Sequence, residues 1–402
     1  MFTLPRNAQI WLPAVARQSL VRYRHRARSL RGAHVMFAIA DHFEPFNGGV
    51  SKQRADWRVE RWREGYARMI DGLRDDDGRT PQHSFFYPIE QYEARHVEAL
   101  GALVEAGSGE VEVHLHHDRD NATNLQRTLA GFARLLHERH GLLTRHVDGS
   151  IGYGFVHGNW ALDNARPDGR HCGVDNELSV LMQTGCYADF TLPAAPDVSQ
   201  TRTVNAIYYA VDDPDHAKSH DRGRRAAVGG RPPSNGLLMI QGPLSLDWSR
   251  RTYRVLPGVE AGCVDDSPGN WPHGRRLQHW LRASVTVTGR PDWIFVKIHT
   301  HGAPEHNAEV LLGGAMRQFH ASIRQQIREQ EMYLHYVTAR EMANIVRAAE
   351  EGLTGNPGEY RDYWLPAPAR RAATVASQGR TCSKRRKTGT IASPRSDSLY
   401  SM

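Results

Sequence analysis

Cysteine is scarce in this chain. There are four in 402 residues, Cys172, Cys186, Cys263 and Cys382, far apart and with no Cys-x-x-Cys pair. That scarcity argues against a disulfide framework and fits reduced thiols in a cytoplasmic protein. Long apolar runs are missing too. No window reaches the roughly 18 apolar residues of a membrane span, so no transmembrane segment is expected. The first residues lack the continuous apolar stretch of a secretory signal: Arg6, Asn7 and Gln9 interrupt it, and Arg17 and Gln18 follow. Residues 1–33 are read as a basic arm, with a transit peptide or a membrane-surface helix as the alternatives. Acidic residues are almost absent from both ends. Residues 1–33 carry seven Arg and no acid, and residues 366–402 carry eight Lys or Arg against one acid. Each end is therefore +7, the whole chain is also +7, and the body between must be −7. An acidic body gives no reason to expect a specific nucleic-acid partner.

The body contains alternating apolar patterns. Short apolar runs at residues 35–40, 84–87, 111–115 and 151–157 read as strands, each followed by a segment with helical spacing. Trp57, Trp62, Tyr66, Met69, Ile70 and Leu73 mark the first such segment; Val97, Leu100, Leu103 and Val104 the second; Leu125, Leu129, Phe132 and Leu136 the third. Strand-like runs recur at residues 187–190, 206–209, 237–241, 293–299 and 333–337. A helix is expected over 307–326, and Thr338 with Glu341 has the spacing of a capping box. Strand and helix in alternation imply right-handed crossovers and parallel strands. Seven or eight such units predict an α/β fold, a distorted (β/α)7-type barrel over residues 34–365, with a disordered basic tail at 366–402. Residues 210–236 read as a polar loop whose Lys218–Asp221 stretch is a candidate lid. Residues 243–290 show little periodicity.

The densest chemistry lies at Glu110-Val-Glu-Val-His-Leu-His-His-Asp118. Val111, Val113 and Leu115 alternate with polar residues, and His114, His116, His117 and Asp118 gather where the strand ends. Borderline cations such as zinc take imidazole and carboxylate donors from a small volume, which a strand end supplies on a rigid support. In parallel barrels the site is built at the C-terminal ends of the strands. The other polar residues at such ends are Asp41, His42 and Glu44; His157, Asn159, Trp160 and Asp163; Asp189; and His299 and His301.

Asp41-His-Phe-Glu-Pro45 after an apolar strand resembles the first motif of the polysaccharide deacetylases, the chitooligosaccharide deacetylase-type carbohydrate esterases. Gly109–Asp118 is similar to their second, His-x-x-x-His motif, and His299-Thr-His301 to their late histidine motif. The resemblance covers about residues 34–350. It departs from the family where His42 replaces the second Asp of motif one, where Asp118 falls at the second His of motif two, and where His157-Gly-Asn-Trp160 stands in place of an Arg-x-Pro.

This resemblance implies a metal-dependent hydrolase removing an N- or O-linked acetyl group from a carbohydrate. Its divalent cation, zinc in the first instance, is held by His42, His114 and His117 or Asp118, with His116 a further option for the third ligand. Asp41 is then the general base toward water, His299 or His301 the general acid, and His157, Asn159, Trp160 and Asp189 contact an acetylated saccharide. Two alternatives stand beside it. One is a glycoside hydrolase on a related barrel, using carboxylates among Glu44, Asp163 and Asp189. The other is a non-catalytic saccharide-binding relative in polysaccharide biosynthesis.

Overall fold

The computed structural model describes residues 4–24, 30–252 and 256–370. The first strand, β1 (His34–His42), shows the logic of the whole sheet. Val35, Phe37 and Ile39 point to one side and join a core with helical residues such as Val59, Trp62 and Tyr66. Met36, Ala38 and Ala40 point to the other side and join a second core. Side chains of a strand alternate between faces, so a strand apolar on both faces needs a layer on each.

The remaining elements follow in chain order. After α1 (Ala8–Arg24) and β1 come α2 (Lys52–Ile70), β2 (His83–Pro88), α3 (Ala94–Glu105), β3 (Gly109–Leu115) and α4 (Ala122–Glu138). Then come β4 (Thr144–Arg145), β5 (Ile151–His157), α5 (Glu177–Gln183), β6 (Cys186–Asp189), β7 (Ile207–Val211), β8 (Arg224–Arg225) and β9 (Gly236–Ile240). The hairpin β10 (Ser245–Thr252) and β11 (Leu256–Glu260), α6 (Leu277–Ala283), β12 (Trp293–Thr300), α7 (Glu305–Leu311), α8 (Gly314–Glu329), β13 (Tyr333–Tyr336) and α9 (Ala339–Glu350) complete the set.

The main sheet runs β12-β1-β2-β3-β5-β6-β9-β7-β8, with β13 also on β1 and β4 on β5. From β12 to β9 the pairings are parallel, while β7 is antiparallel to β9 and to β8. The expected closed seven-unit barrel is therefore corrected to a barrel-like sheet that does not close by strand pairing. The reason lies in residues 243–290, which make the separate β10–β11 hairpin and irregular backbone instead of a βα unit. That backbone spans the seam: Phe295 N–H donates to Val285 O, Thr288 N–H to Ala226 O and Val228 N–H to Thr288 O, each at 2.9 Å. The helix expected over 307–326 is two helices, α7 and α8, because Gly313 is extended and caps the second. The Lys218 ammonium donates to Val198 O at 3.0 Å and Gln200 O at 2.8 Å, and His220 is buried, so this stretch is pinned rather than a free lid.

Helix α9 sits inside the curve. Its Met342, Ala343, Ile345 and Val346 share one core with Met36, Phe86, Val156, Leu238 and Phe295 of the surrounding strands. The capping box is present, with Thr338 and Glu341 satisfying each other's backbone N–H groups. The buried Arg340 beside it forks onto Glu110 of β3, Nε to Oε2 at 3.0 Å and Nη2 to Oε1 at 2.9 Å. At the N-terminus, α1 docks Trp11 and Val15 against Ala195, Val204 and Leu244, so part of the basic arm is a packed helix. No helix among the described residues is long and apolar enough to cross a membrane. Most of the tail expected to be disordered, residues 371–402, lies outside the described residues.

Two buried cations generate predictions. Removing the guanidinium in Arg340→Ala strands the Glu110 carboxylate and is expected to lower unfolding free energy by about 3–5 kcal/mol; an unchanged urea midpoint contradicts this role. The Lys297 ammonium, fully enclosed, donates to Phe190 O at 2.5 Å and Leu192 O at 2.6 Å. Burial pushes its pKa down from 10.5 to about 7, with Asp189 opposing. Below about pH 7 both folded and unfolded chains carry this proton, and the full burial penalty applies. Between about 7 and 10.5 only the unfolded chain binds it, so stability rises with pH, on the order of a few kcal/mol in total. Urea titrations across this window are expected to show that rise in the wild type and a flatter profile in Lys297→Met.

Candidate metal centre

At the C-terminal ends of β1, β3 and β12, side chains of inward parity collect. His42 follows Met36, Ala38 and Ala40 on the inner face of β1, and Glu44 keeps the same parity two residues on. On β3 the inner set is Glu110, Glu112 and His114, continued by His116; on β12 it is Phe295, Lys297 and His299, continued by His301. One ligand atom from each of His42, Glu44 and His114 lies within 4.8 Å of the others. Glu44 Oε1 is the hub, 3.3 Å from His114 Nε2, 3.5 Å from His116 Nε2 and 3.9 Å from His301 Nε2. The His42 ring lies 5.1 Å from that of His114 and 4.7 Å from that of His301, centroid to centroid. Donors about 2.0–2.2 Å from one tetrahedral cation sit roughly 3.3–3.5 Å apart, which the separations of Glu44 Oε1 from His114 and His116 match.

The supporting contacts fit as well. His114 Nδ1–H donates to Val156 O at 2.7 Å. A carbonyl only accepts, so the lone pair is left on Nε2, facing Glu44. His116 Nδ1–H donates to Glu90 Oε1 at 2.6 Å, which turns its Nε2 the same way. Such outer partners fix the tautomer and aim of metal-binding imidazoles. Asn47 Nδ2 donates to Glu44 Oε2 at 2.7 Å. Gly158 permits the packing, since a Cβ there would lie 2.3 Å from His116 Cδ2.

The electrostatics are those of a carboxylate ringed by imidazoles. Burial pushes His42 well below its ordinary pKa, and the neighbouring His301, His114 and His299 add to this. Burial also acts to raise the Glu44 carboxyl, but His114 and His116 outweigh it and hold the group far below the usual range. His116 is the exception among the histidines: burial lowers it, yet Glu44 and Glu90 together raise it to about 9. His301 is lowered, chiefly by burial.

Several expected site residues lie elsewhere. Asp41 has outward parity and is fully buried; its Oδ2 accepts from His83 Nε2 at 2.8 Å and its Oδ1 from Gly302 N–H at 2.6 Å. Both carboxylate oxygens are thus engaged by groups outside the His42, Glu44 and His114 set. His117, also of outward parity, joins His157, Cys172 and Glu177 in a second group. Asp118 is half exposed and accepts from His171 N–H at 2.5 Å, away from the ligands. His157 is thus removed from the saccharide contacts. Asn159 is exposed, and Asp189 is enclosed by Thr191, whose N–H and hydroxyl donate to it at 3.0 and 2.7 Å. Asp163 accepts from Ser219 N–H at 2.6 Å, so it pairs with backbone rather than with Glu44.

Trp160, His299 and His301 remain at the centre. The Trp160 ring lies 6.4 Å from His301, and its indole N–H is buried without a hydrogen-bond partner. Trp160 and His299 line a cleft of about 620 Å³ with Asn7, Arg166, Cys263 and Asn270. Sequence reasoning missed Glu44 and Glu90 as working parts of this centre. The period of two through His42 carried the signal for Glu44; Glu90 follows β2 and had no local signal. The clustered His and Glu residues form a potential metal-binding active site in a barrel-like α/β fold.

Competition against a chelator tests the ligand set. Glu44→Gln and His114→Ala are each expected to lose one bound divalent cation. Asp41→Asn is expected to retain it; loss of the cation in folded Asp41→Asn to the extent seen in His114→Ala would refute the assignment. No family model matches the chain, and no curated protein matches it in sequence.

Proposed function

We propose that the chain is a divalent-metal hydrolase removing an acetyl group from a saccharide, with His42, Glu44 and His114 as the metal ligands, the fourth position left to water, and His116 beside it. The single observation that carries this reading is the fixed tautomer of His114. Its Nδ1 is tied to Val156 O, and its Nε2 faces Glu44 Oε1 at 3.3 Å beside a cleft. A cation bound there supplies Lewis-acid polarisation of an acyl oxygen and activates water at neutral pH.

The protein groups have separate tasks. His301 is half-buried, and its lowered pKa leaves it neutral near pH 7, so its Nε2 is suited to take a proton from water and return it to the leaving group. Asp41 is a positioning residue. By accepting from Gly302 N–H it holds the backbone next to His301, and Gly302 must be glycine because a Cβ would lie 2.2 Å from the Asp41 carboxylate and 2.6 Å from Trp62. Trp160 offers a ring face to a sugar and an unpaired N–H to a hydroxyl or acyl oxygen. The cleft volume is in the ordinary range for a small ligand. The resemblance to polysaccharide deacetylases agrees with ligands at the ends of the first and third strands of the barrel-like sheet, and its Asp41 base is replaced by His301.

Acetate release from N- and O-acetylated saccharides tests the proposal. Activity is expected in metal-loaded protein and its loss after chelation. His301→Gln is expected to lower kcat by about 10²- to 10⁴-fold while the cation stays bound. Equal turnover without metal overturns the reading. Reducing ends appearing without acetate assign the site to glycosidic cleavage instead.

A further inference from the structure

The second cluster lies on the other side of the sheet. His157 continues the outward face of Tyr153 and Phe155 on β5, whereas His114 and Val156 face inward. His117 follows β3, Cys172 lies in the loop before α5, and Glu177 is the first residue of that helix. One ligand atom from each lies within 4.8 Å of the others. His117 Nε2 and His157 Nε2 are 2.8 Å apart. Glu177 Oε1 is 3.3 Å from the first and Oε2 3.4 Å from the second, and Cys172 Sγ is 3.4 Å from Oε2.

The hydrogen atoms are committed elsewhere. His117 Nδ1–H donates to Asp120 Oδ2 at 3.1 Å, and His157 Nδ1–H donates to Gly158 O at 2.5 Å. Carboxylates and carbonyls accept only, so each neutral imidazole keeps its lone pair on Nε2, and the two lone pairs face each other. Glu177 Oε1 is buried and accepts no hydrogen bond, although the carboxylate is fully enclosed. Asp163 N–H, 2.6 Å from Oε2, braces the carboxylate from behind. A proton on His117 Nε2 would answer either the His157 lone pair or Glu177 Oε1, 3.3 Å away, but not both. One cation serves all four donors.

From this arrangement we infer that His117, His157, Cys172 and Glu177 form a second metal centre, a closed structural site for zinc that is separate from the one beside the cleft. Two imidazoles, a thiolate and a carboxylate make a four-coordinate zinc set, and the sulfur excludes magnesium and calcium. Three of the four residues have no solvent exposure, and the His117 side chain has 7%. No position is left open for water or substrate, which distinguishes a structural from a catalytic site. The cation ties together the ends of β3 and β5, the 165–176 loop and α5, and so secures the turn that carries Trp160 to the cleft.

Cobalt substitution of the full-length protein tests this, because only the second site holds a sulfur. Wild-type protein loaded with Co(II) is expected to bind two equivalents and to show a near-ultraviolet sulfur-to-cobalt charge-transfer band. Cys172→Ser is expected to lose the band, and His157→Ala the band and one equivalent. His114→Ala is expected to lose one equivalent and keep the band. Absence of the band in the wild type, or its persistence in Cys172→Ser, overturns the inference. Should Cys172→Ser fail to fold, X-ray absorption on zinc-loaded wild type decides. A sulfur neighbour at about 2.3 Å is expected, and a shell of nitrogen and oxygen alone overturns it.

Discussion

The two-residue period of the strands, buried on both faces, is the constraint on which the rest of the structure depends. A side chain leaving the curled sheet goes either toward α9 or toward the outer helices, and neighbours in sequence go opposite ways. This separates Asp41 from His42, His116 from His117, and Val156 from His157. Six residues of inward parity, His42, Glu44, His114, His116, His299 and His301, meet at one rim. Those of outward parity form the Asp41–His83 pair and the cluster around Glu177. A one-residue slip in β3 would disturb both clusters at once, and one in β1 would exchange His42 with Asp41.

Filling the inside of the sheet with a helix has its own electrostatic consequence. Strand β3 turns Glu110 and Glu112 inward, where neither meets bulk water. Arg340 of α9 neutralises the first. The second accepts from Tyr187 Oη at 2.5 Å and Gly154 N–H at 2.6 Å, and burial raises its pKa to about 8. The polar residues of that strand thus form a graded series, from a pairing deep inside to metal donors at the open end. Lys297 plays the same part on β12, holding the carbonyls of Phe190 and Leu192 just below His299. The rim is rigid because the layer beneath it is hydrogen-bonded.

Much of this was legible in the sequence, and the failures have identifiable causes. The strands, most helices and the capping box at Thr338 follow from local periodicity. The His-rich end of β3 supplies His114 to one group of potential metal donors and His117, just beyond it, to the other. The ligand set proposed for the rim follows strand parity and differs from the one the family resemblance implies. Parity alone groups His42 with Glu44 and His114 with His116; the strand end offers His117 and Asp118 as well, and the resemblance gives Asp41 the role of base. Closure of the barrel was not legible because residues 243–290 show little periodicity, and their backbone bonds to seam segments elsewhere in the chain. Glu177 and Cys172 were invisible as ligands, since their partners lie 15 to 60 positions away in sequence and no spacing rule connects them.

The two clusters differ in donor type and in access, and the two differences belong together. A thiolate beside an open cleft is exposed to oxidation and to competing soft metals; Cys172 is fully enclosed, where a sulfur donor adds affinity without that hazard. The rim cluster has only nitrogen and oxygen donors, with half-buried His116 and His301 toward solvent. Harder, weaker donors leave a cation more Lewis acidic and its remaining position exchangeable, which hydrolysis requires and a structural tie does not. The connection between the centres is short: His114 and His117 leave the same strand end on opposite faces, and Val156 and His157 are consecutive. Val156 O fixes the tautomer of His114 while the next residue binds in the second cluster. A cation held at His157 therefore stiffens the backbone that orients His114, so the closed centre supports the open one through a single peptide unit.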